Sequence, residues 1–304
     1  MNLFLKAPSG DAYENLARDE FLLNELAPET VILYLYVNNN AVIIGRNQNP
    51  RMECNLDKLN EDKVQLVRRI SGGGAVYHDA GNLNYSFIAS ADLYDESRQT
   101  GVILKALAEF GIRAEVSGRN DITADGLKFS GNAFCARGDR RQHHGTLLIR
   151  SDLSVFASYL TPSKQKLASK GIQSVRSRVC NLSELNPDVT VASMADALRR
   201  AFEAEYGPAR EPVFSAEDER KIADLRLKHV GWEWLMGETP RFDVEIDRRV
   251  AGGNAVMRLS VQGGVITDCT VYTDALDIQV PQRVRALLIG ARYDDMETIL
   301  GGMS

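Results

Sequence analysis

The segment with the clearest chemical potential is RRISGGGAVYHD at residues 68–79, in which three consecutive glycines follow two arginines. Glycine allows backbone conformations that other residues avoid, so main-chain N–H groups can approach a ligand closely. Arginine adds charge and paired donors that suit phosphate or carboxylate. A glycine cluster is more often a tight turn than an active site, but the arginine pair and the exit through His78 and Asp79 favour an anion-binding loop. We call Ser71–Ala75 the glycine loop.

A lysine in a second glycine-bearing segment is the candidate catalytic cation. The segment is KFSGNA at residues 128–133, where Lys128 and Ser130 are expected on the same face of a strand. Gly131 leaves room for a ligand to approach the backbone. A lysine on a strand is normally an exposed edge charge, and it becomes catalytic only if it points into a cleft. Both interpretations stay open from the residues alone.

Possible metal ligands are few and scattered. Residues 118–121, GRND, form an oxygen-rich turn in which Asp121 could hold Mg²⁺ or could simply belong to a turn. The adjacent His143 and His144 are expected to project to opposite faces of a strand, so they should not share one metal. We expect His78 to orient the glycine loop by hydrogen bonding rather than to bind a metal.

Composition and charge exclude several classes of protein. The chain has 304 residues, of which 44% are hydrophobic and 25% charged, enough to bury a core without disulfides. A net charge of −5 argues against a nucleic-acid surface. No apolar run approaches the roughly 20 residues that span a bilayer, the N-terminus lacks signal-peptide features, and the four cysteines form no CxxC pair. We expect a cytoplasmic protein that binds neither nucleic acid nor membranes.

The elements that must position these residues mix helix and strand without a regular βαβ repeat, which favours an α+β fold with mixed or antiparallel sheets. A helix is predicted at Asp11–Leu26. Strands at Val31–Tyr36 and Ala41–Gly45 are predicted to pair as a hairpin across three asparagines. Asp125-Gly126 predicts a second hairpin with a two-residue turn.

A change of pattern near residue 238 predicts a domain boundary. Gly-Glu-Thr-Pro at residues 237–240 is the best candidate linker. Beyond it, three strands with glycine-rich turns and two short helices are predicted. The sequence therefore predicts a catalytic domain at residues 1–238 and a small α/β accessory domain at residues 239–304.

Five motifs, in this order and at about this spacing, resemble those of the lipoate–protein ligase A family, within the biotin/lipoate protein ligase superfamily. They are RRISGGGAVYHDAGNLNYSF, GRND, KFSGNA, HHGTLLIRSDL and KLASKGIQSVRSRVCNL. The family patterns RRxxGGGxVxHD and KxxGxA are both satisfied. The likeness extends from about Tyr13 to Trp234 and continues more weakly to the C-terminus, where TVYTDALD looks like the family's small domain.

The resemblance implies an enzyme that activates lipoate with ATP to lipoyl-AMP, releases pyrophosphate, and transfers the lipoyl group to a lysine of an acceptor protein. ATP and Mg²⁺ are the implied cofactors and lipoate the substrate. The implied acceptors are the lipoyl domains of 2-oxoacid dehydrogenase complexes and the glycine-cleavage H protein.

The resemblance also implies roles for individual residues. Lys128 is similar to the family's essential lysine, which contacts the lipoyl carbonyl and the phosphate of the adenylate, and the region from Tyr159 to about Arg178 looks like the adenylate-binding loop. Several relatives carry a tryptophan near Tyr36, which would line the lipoyl pocket together with Val76, Tyr77 and Phe87. Asp121 would bind Mg²⁺. The predicted lipoate- and adenylate-binding residues are Arg69, Ser71, Gly72, Gly73, Gly74, Ala75, Val76, His78, Asn82, Tyr36, Gly131, Ala133, His144, Gly145 and Thr146.

Three alternatives remain at this stage. An octanoyl or lipoyl acyltransferase of the same fold would use a cysteine thioester, for which Cys135 and Cys180 are candidates. A biotin–protein ligase would share the fold and the adenylate chemistry. A non-catalytic lipoyl-binding homologue would be expected to have lost Arg69, a loop glycine or Lys128, and this chain retains them all.

Overall fold

The computed structural model describes residues 1–118, 120–160, 179–250, 253–273 and 279–302. The chain divides into two compact units, the first comprising residues 1–46 and 51–230 and the second residues 47–50 and 231–304. The sequence-based division into 1–238 and 239–304 stays a prediction. Within the described ranges, no helix has the length and apolar character needed to cross a bilayer.

The first unit combines a large sheet, a small sheet and helices on both faces of the large sheet. Up to the small sheet's last strand, its elements are β1 (Asn2–Lys6), α1 (Ala12–Glu25), β2 (Val31–Tyr36), β3 (Ala41–Ile44), α2 (Pro50–Glu53), α3 (Leu56–Glu61), β4 (Gln65–Arg68) and β5 (Val76–His78). The remaining elements are β6 (Asn82–Ser90), α4 (Glu96–Ala108), β7 (Ala114–Ser117), β8 (Asp121–Ala124), β9 (Leu127–Arg137), β10 (Arg140–Leu148), α5 (Phe156–Tyr159), α6 (Leu182–Leu185), α7 (Val191–Tyr206) and α8 (Ala216–Val230).

The large sheet has seven strands in the order β1-β2-β6-β10-β9-β8-β7. β1 runs parallel to β2, and the other neighbours run antiparallel. One face packs on α4 and α7 through a core that includes Leu33, Phe87 and Phe202. The other face packs on α1 through Ile32 and Ile88. The large sheet contains both parallel and antiparallel strand pairs, and the described helices do not form a βαβ repeat with them. These two features confirm the predicted α+β class.

The predicted hairpin between residues 31–36 and 41–45 is wrong. β2 belongs to the large sheet, whereas β3 lies in a small sheet of order β4-β3-β5. The connecting segment turns inward instead of forming a hairpin turn, because Asn38 is fully buried. Its side chain accepts a hydrogen bond from Asn15 of α1 at 3.0 Å and lies 3.1 Å from His78 of β5. These contacts direct the chain away from β2.

Two other predictions from local sequence signals, the start of α1 and the hairpin between β8 and β9, are confirmed. Asp11 caps α1 by accepting from the N–H groups of Tyr13 and Glu14. Asp125 and Gly126 have φ of 51° and 76°, which suits a two-residue turn between β8 and β9 and confirms the second predicted hairpin.

The second unit contains the predicted meander and helices. β11 (Phe242–Val250), β12 (Gly253–Gln262) and β13 (Val265–Thr273) pair antiparallel in sequence order. A π-helical turn (Glu233–Gly237) precedes them, and α9 (Val280–Leu288), a 3₁₀ turn (Tyr293–Asp295) and α10 (Met296–Gly301) follow. Side chains including Met257, Val284 and Leu300 form a core of their own.

Candidate active site

The two faces of the large sheet carry different sets of the predicted residues. His143 and His144 project from β10 to opposite faces, as expected. His143 Nδ1 lies 3.1 Å from Gln99 Oε1 of α4, and its ring stacks on Phe87. His144 Nε2 lies 2.6 Å from the hydroxyl of Ser71 in the glycine loop. The candidate site therefore lies on the face of His144, which α1 covers, and we call it the α1 face.

Arg69 holds the glycine loop from within. Its guanidinium donates to Gly72 O from Nε at 3.1 Å and from Nη2 at 2.7 Å, to Gly74 O at 2.8 Å, and to Ile43 O at 3.2 Å. Burial lowers the pKa of Arg69 to about 10, which leaves it protonated at neutral pH. Since these donors meet carbonyl oxygens of the chain, Arg69 shapes the loop, and direct binding of a phosphate by Arg69 stays a prediction.

The loop backbone leaves N–H groups accessible. Gly72, Gly73 and Gly74 are exposed, and in the part of the chain that the structure describes no acceptor meets their N–H groups. Gly73 has φ of +99°, and a Cβ there would lie 2.6 Å from Arg69 Nη2. Ala75 follows as a half-buried residue at the entrance to β5. The loop carbonyls accept from the Arg69 guanidinium, and the loop N–H groups have no acceptor among the described residues. Such a cradle of N–H groups fits an anion.

Ser71 and His144 connect the glycine loop to the large sheet. Both side chains are buried. Burial, helped by the Arg69 cation, lowers the pKa of His144 to about 3, so its imidazole is neutral at physiological pH. His144 pairs with Ala133 of β9, two residues from Gly131. The loop is thereby fixed to the strand pair that carries the candidate lysine.

Two further predicted residues of β10 have packing roles. Thr146 Oγ1 accepts from the N–H of Gly131 at 3.3 Å and ties β10 to β9. A Cβ on Gly145 would lie 2.5 Å from the Tyr85 hydroxyl and 2.7 Å from Gly131 O. Because Tyr85 belongs to the core on the opposite face, position 145 must be small to let the strands pack. Gly145 therefore faces the opposite side of the sheet and does not lie on the α1 face.

His78 and Asn82 each carry a buried polar atom with no partner in the described part of the chain. His78 Nδ1 lies 3.1 Å from the amide nitrogen of Asn38, which donates to it, so the neutral ring carries its proton on Nε2. Burial and the nearby Arg69 lower the pKa of His78 to about 3. His78 Nε2 and Asn82 Oδ1 are buried without a hydrogen-bond partner among the described residues. The bond to Asn38 fixes the His78 ring, its role in orienting the glycine loop stays a prediction, and two polar atoms are left that can meet a ligand or water.

A β-bulge decides where Lys128 points. Between β8 and β9, Ser130 pairs with Ile122 while Lys128 pairs with Thr123, so Phe129 is an extra residue. The bulge turns Lys128 to the face of Gly131, where a Cβ would lie 3.4 Å from Lys128 Nζ. Ser130 lies beside Tyr85 on the opposite face. The expectation that Lys128 and Ser130 share a face is therefore wrong.

The Lys128 ammonium is held at the surface end of the α1 face. Its Nζ lies 2.7 Å from Asp121 Oδ1, and 39% of its side chain is exposed. The Lys128 carbonyl accepts from the N–H of Cys180 at 3.0 Å, and the residue pairs with Val179. The lysine thus has a fixed backbone and a cation open to a ligand on one side. Residues 161–178 of the predicted adenylate-binding loop lie outside the described residues.

Asp121 alone does not form a metal centre. Within the described ranges, no group of three His, Cys, Asp or Glu residues has the geometry to hold a metal ion. The carboxylate is 42% exposed and pairs with Lys128 through one oxygen. Such a carboxylate fits Mg²⁺ only where phosphates and water supply the other ligands, which is a usual arrangement for this ion.

The predicted pocket lining is only partly on the α1 face. Tyr36 is there, stacked on Tyr34 with ring centroids 4.9 Å apart, and Val76 packs on the same core. Tyr77 instead packs against Tyr159 in a tilted arrangement, with ring centroids 5.2 Å apart. Phe87 lies in the core of the opposite face. Alternation along β5 and β6 explains why Tyr77 and Phe87 lie away from the α1 face, because neighbouring side chains on a strand point to opposite sides.

Neither candidate cysteine nucleophile is activated. Burial raises the pKa of Cys135 despite the nearby Arg137, and burial also raises the pKa of Cys180. A thioester mechanism needs the thiolate, whose formation requires a lowered pKa. This geometry disfavours the cysteine-dependent alternative.

Sequence reasoning missed Asn38 and Asp19. The sequence predicts Asn38 in a turn, and only its burial and its contact with His78 show that it supports that ring. Asp19 is a fully buried acid of α1 that faces the large sheet. In the sequence, the one signal that pointed to Asp19 is its position in the middle of an amphipathic helix.

Comparison with known families agrees with this geometry. The model of the family described as lipoyl protein ligase A/B catalytic domain matches residues 11–203, and that of the bacterial lipoate protein ligase C-terminus matches residues 239–301. The first match covers more than half of the chain and includes the glycine loop and Lys128.

Solved structures give the same assignment. LipL1 of P. falciparum, in complex with lipoate, is 30% identical, with a TM-score of 0.70, and the match covers 100% of this chain and 95% of that one. A bipartite lipoate protein ligase from Thermoplasma acidophilum, described together with its E2 lipoyl domain as an archaeal lipoylation system, is 29% identical, with a TM-score of 0.70 and coverage of 78% and 96%. A lipoate-protein ligase A bound with ATP is 29% identical, with a TM-score of 0.68 and coverage of 78% and 98%. With an exposed loop of backbone donors, a fixed lysine and these matches, the chain belongs to the lipoate–protein ligase family.

Proposed function

We propose that this chain activates lipoate with ATP to lipoyl-AMP, releasing pyrophosphate, and then transfers the lipoyl group to a lysine of an acceptor protein. The observation that carries the proposal is the position of Lys128. The bulge in β9 places its ammonium beside Asp121 and Gly131, on the face to which Ser71 and His144 fix the glycine loop. The relatives solved with lipoate and with ATP support the same pair of substrates.

In the first half-reaction, a carboxylate oxygen of lipoate attacks the α-phosphorus of ATP. The new bond joins that oxygen to phosphorus, the bond between the α-phosphorus and the bridging oxygen breaks, and pyrophosphate leaves with its electron pair. Two anions must approach each other, so the site has to neutralise charge and fix geometry. The Lys128 ammonium can contact both reacting groups, while the N–H groups of Gly72, Gly73 and Gly74 hold phosphate oxygens. Asp121 would be a ligand of Mg²⁺, which screens the phosphate charge.

In the second half-reaction, the neutral amine of the acceptor lysine attacks the carbonyl carbon of the mixed anhydride. An amide bond forms, AMP leaves, and the amine loses a proton to solvent. Negative charge develops on the carbonyl oxygen in the transition state. A fixed ammonium at Lys128 can stabilise that oxygen, as it stabilised the acyl and phosphate groups before.

The acceptors in this proposal are the lipoyl domains of 2-oxoacid dehydrogenase complexes and the glycine-cleavage H protein. The relative from Thermoplasma acidophilum is described with its E2 lipoyl domain as one lipoylation system, which supports the first class. We place the reaction in the cytoplasm, since all four cysteines are free thiols and a reducing compartment keeps them so.

The direct test is Lys128→Ala, assayed by exchange of pyrophosphate into ATP and by lipoylation of an acceptor domain. Both rates should fall by about 10²-fold or more, the scale for losing a main electrostatic donor. Lys6→Ala is the matched control, because Lys6 also forms an exposed ion pair, with Asp196 at 2.8 Å. Near-native exchange in Lys128→Ala, or an equal loss in Lys6→Ala, would refute the role of Lys128.

A further inference from the structure

Polar side chains also meet on the other face of the large sheet, which α4 and α7 cover and which we call the α4 face. Tyr85 and His143 are buried there, and both reach the half-buried side chain of Asn132 in β9. The Tyr85 hydroxyl donates to Asn132 Oδ1, and His143 Nε2 lies 2.8 Å from the same oxygen. The chemistry described above uses none of these three side chains.

Tyr85 and His143 are in the protonation states that suit donors to Asn132. Burial raises the pKa of Tyr85, so its hydroxyl keeps its proton. Burial lowers the pKa of His143 to about 4, so the ring is neutral and has one N–H. Because Asn132 Oδ1 can only accept, that N–H lies on Nε2. The orientation of the Gln99 amide that puts its nitrogen on His143 Nδ1 then also satisfies Gln99 Nε2, which otherwise has no partner among the described residues.

The nitrogen of the Asn132 amide fixes the turn that precedes β8. Asn132 Nδ2 donates to Asn120 O at 3.1 Å, and the main-chain N–H of Asn132 donates to the same carbonyl at 2.7 Å. In return, Asn120 Nδ2 donates to Asn132 O at 3.2 Å. Since a carbonyl only accepts, the Asn132 nitrogen must face Asn120 and its oxygen must face the α4 face. One amide thereby connects the buried donors to residue 120.

Gly145 keeps space open for this arrangement. It lies directly across from Asn132 in the pairing of β10 with β9. A Cβ at position 145 would lie 2.5 Å from the Tyr85 hydroxyl, so any side chain there would displace the hydroxyl from the Asn132 oxygen.

The residue that follows Asn120 is Asp121, the partner of Lys128. Asp121 begins β8 and pairs with Gly131, one residue before Asn132. Its side chain is 42% exposed and holds Lys128 Nζ at 2.7 Å. A carboxylate this exposed takes its position from the backbone that carries it, and the bonds from Asn132 hold that backbone.

We propose that Asn132 is a positioning residue for the ligase reaction. Through Asn120 it fixes the Asp121 carboxylate, and that carboxylate sets where the Lys128 ammonium lies. The inference rests on the proposed function, in which the ammonium contacts both reacting groups. The Asn132 side chain lies on the α4 face and does not touch the substrates. Its loss nevertheless lowers the rate, because a misplacement of about 1 Å in a reacting geometry can cost about 10²-fold.

The test is a double-mutant cycle of Asn132→Ala and Asp121→Ala, with kcat and KM measured by pyrophosphate exchange. Asn132→Ala should lower kcat by about tenfold to 10²-fold and leave the KM for lipoate unchanged. If Asn132 acts through Asp121, adding Asn132→Ala to Asp121→Ala should lower kcat by less than about threefold further, because coupled residues are not additive. Independent residues would multiply their losses, and that result would overturn the inference.

Asn186→Ala is the matched control. Asn186 is also a half-buried asparagine whose Nδ2 donates to a distant carbonyl, Phe110 O at 2.9 Å, and whose Oδ1 accepts from the N–H of Asp188 at 2.9 Å. Its replacement removes the same kind of bonds away from Lys128, so kcat should stay close to that of the unchanged protein. A loss in Asn186→Ala equal to that in Asn132→Ala would overturn a specific role for Asn132.

Asn132→Asp is the second variant if Asn132→Ala does not fold. Its oxygens still accept from Tyr85 and His143, whereas the donor to Asn120 is lost, so kcat should again fall by about tenfold or more. Unchanged kcat in either folded variant would overturn the inference and leave lipoate activation intact. Near-native exchange in Lys128→Ala would instead reject the proposed role of Lys128, and the inference with it.

Discussion

Gly73→Ala tests whether the shape of the glycine loop, rather than its flexibility, creates the anion site. Gly73 has φ of +99°, a conformation in which an L residue is strained by about 1–2 kcal/mol. The added Cβ would also lie 2.6 Å from Arg69 Nη2, closer than any relaxed contact. That nitrogen donates to Gly72 O at 2.7 Å and to Gly74 O at 2.8 Å, so moving it loosens both bonds. Bonds of this charge-assisted kind contribute about 1.5–3 kcal/mol each.

The strain of one residue and the partial loss of these two bonds together amount to about 3 kcal/mol, which corresponds to about 10²-fold in kcat/KM if the loop must keep its shape in the transition state. Gly72→Ala is the matched control, because a Cβ there has no atom within 4 Å. The kcat/KM of Gly72→Ala should change by less than about threefold, which corresponds to a free-energy difference of about RT.

The assay is pyrophosphate exchange at limiting ATP, with calorimetric titration of ATP to separate binding from chemistry. Thermal unfolding distinguishes a local loop effect from loss of the fold. The melting temperature of Gly73→Ala should fall by no more than about 6–12 °C, because about 3 kcal/mol corresponds to that shift in a domain of this size. Equal activity in the two alanine variants would refute the argument, as would full activity in Gly73→Ala.

Two other predictions concern groups outside the loop. Glu20 is buried, and its hydrogen bonds with His229 and Lys228 outweigh burial and lower its pKa from 4.5 to about 2. A lowered pKa stabilises the fold above the unfolded value, so on the order of 3 kcal/mol should be lost as pH falls from about 5 to about 2. The free energy of unfolding, measured with denaturant at several pH values, checks this. A Glu20→Gln variant whose unfolding free energy falls as steeply with decreasing pH as that of the unchanged protein would contradict it. The double variant Cys135→Ser/Cys180→Ser should retain ATP-dependent lipoylation, because burial raises both thiol pKa values; loss of that activity in a folded protein would restore the thioester mechanism.

Elements that depend on neighbouring residues were predictable from the sequence. Asp125-Gly126 specifies its hairpin because both residues tolerate positive φ, and Asp11 begins α1 because its carboxylate accepts from the first free N–H groups. The glycine loop was recognisable for the same reason, since consecutive glycines allow the backbone conformations of such a loop without reference to the rest of the chain. The motifs with Lys128 also predicted the family, which the matches to residues 11–203 and 239–301 confirm.

Long-range contacts decided what the local pattern left open. β3 leaves β2 for another sheet because buried Asn38 bonds to Asn15, a residue 23 positions earlier. Arg69 bonds to the loop carbonyls and to Ile43 O, although its sequence context suggested a phosphate ligand.

The direction of Lys128 depends on one extra residue in β9, which reverses the alternation that the sequence predicts. The pairing of Asp19 with Gln142 joins residues 123 positions apart. For the contacts of Asn38 and Asp19, the deciding energy comes from burial and hydrogen bonding between distant segments, so no short window of the sequence contains both partners. The bulge instead pairs Lys128 with nearby Thr123, and it was not predictable because strict alternation assumes a regular strand. The sequence by itself determined the residue types and local turns of the site, and only the tertiary structure decided which side chains face the α1 side.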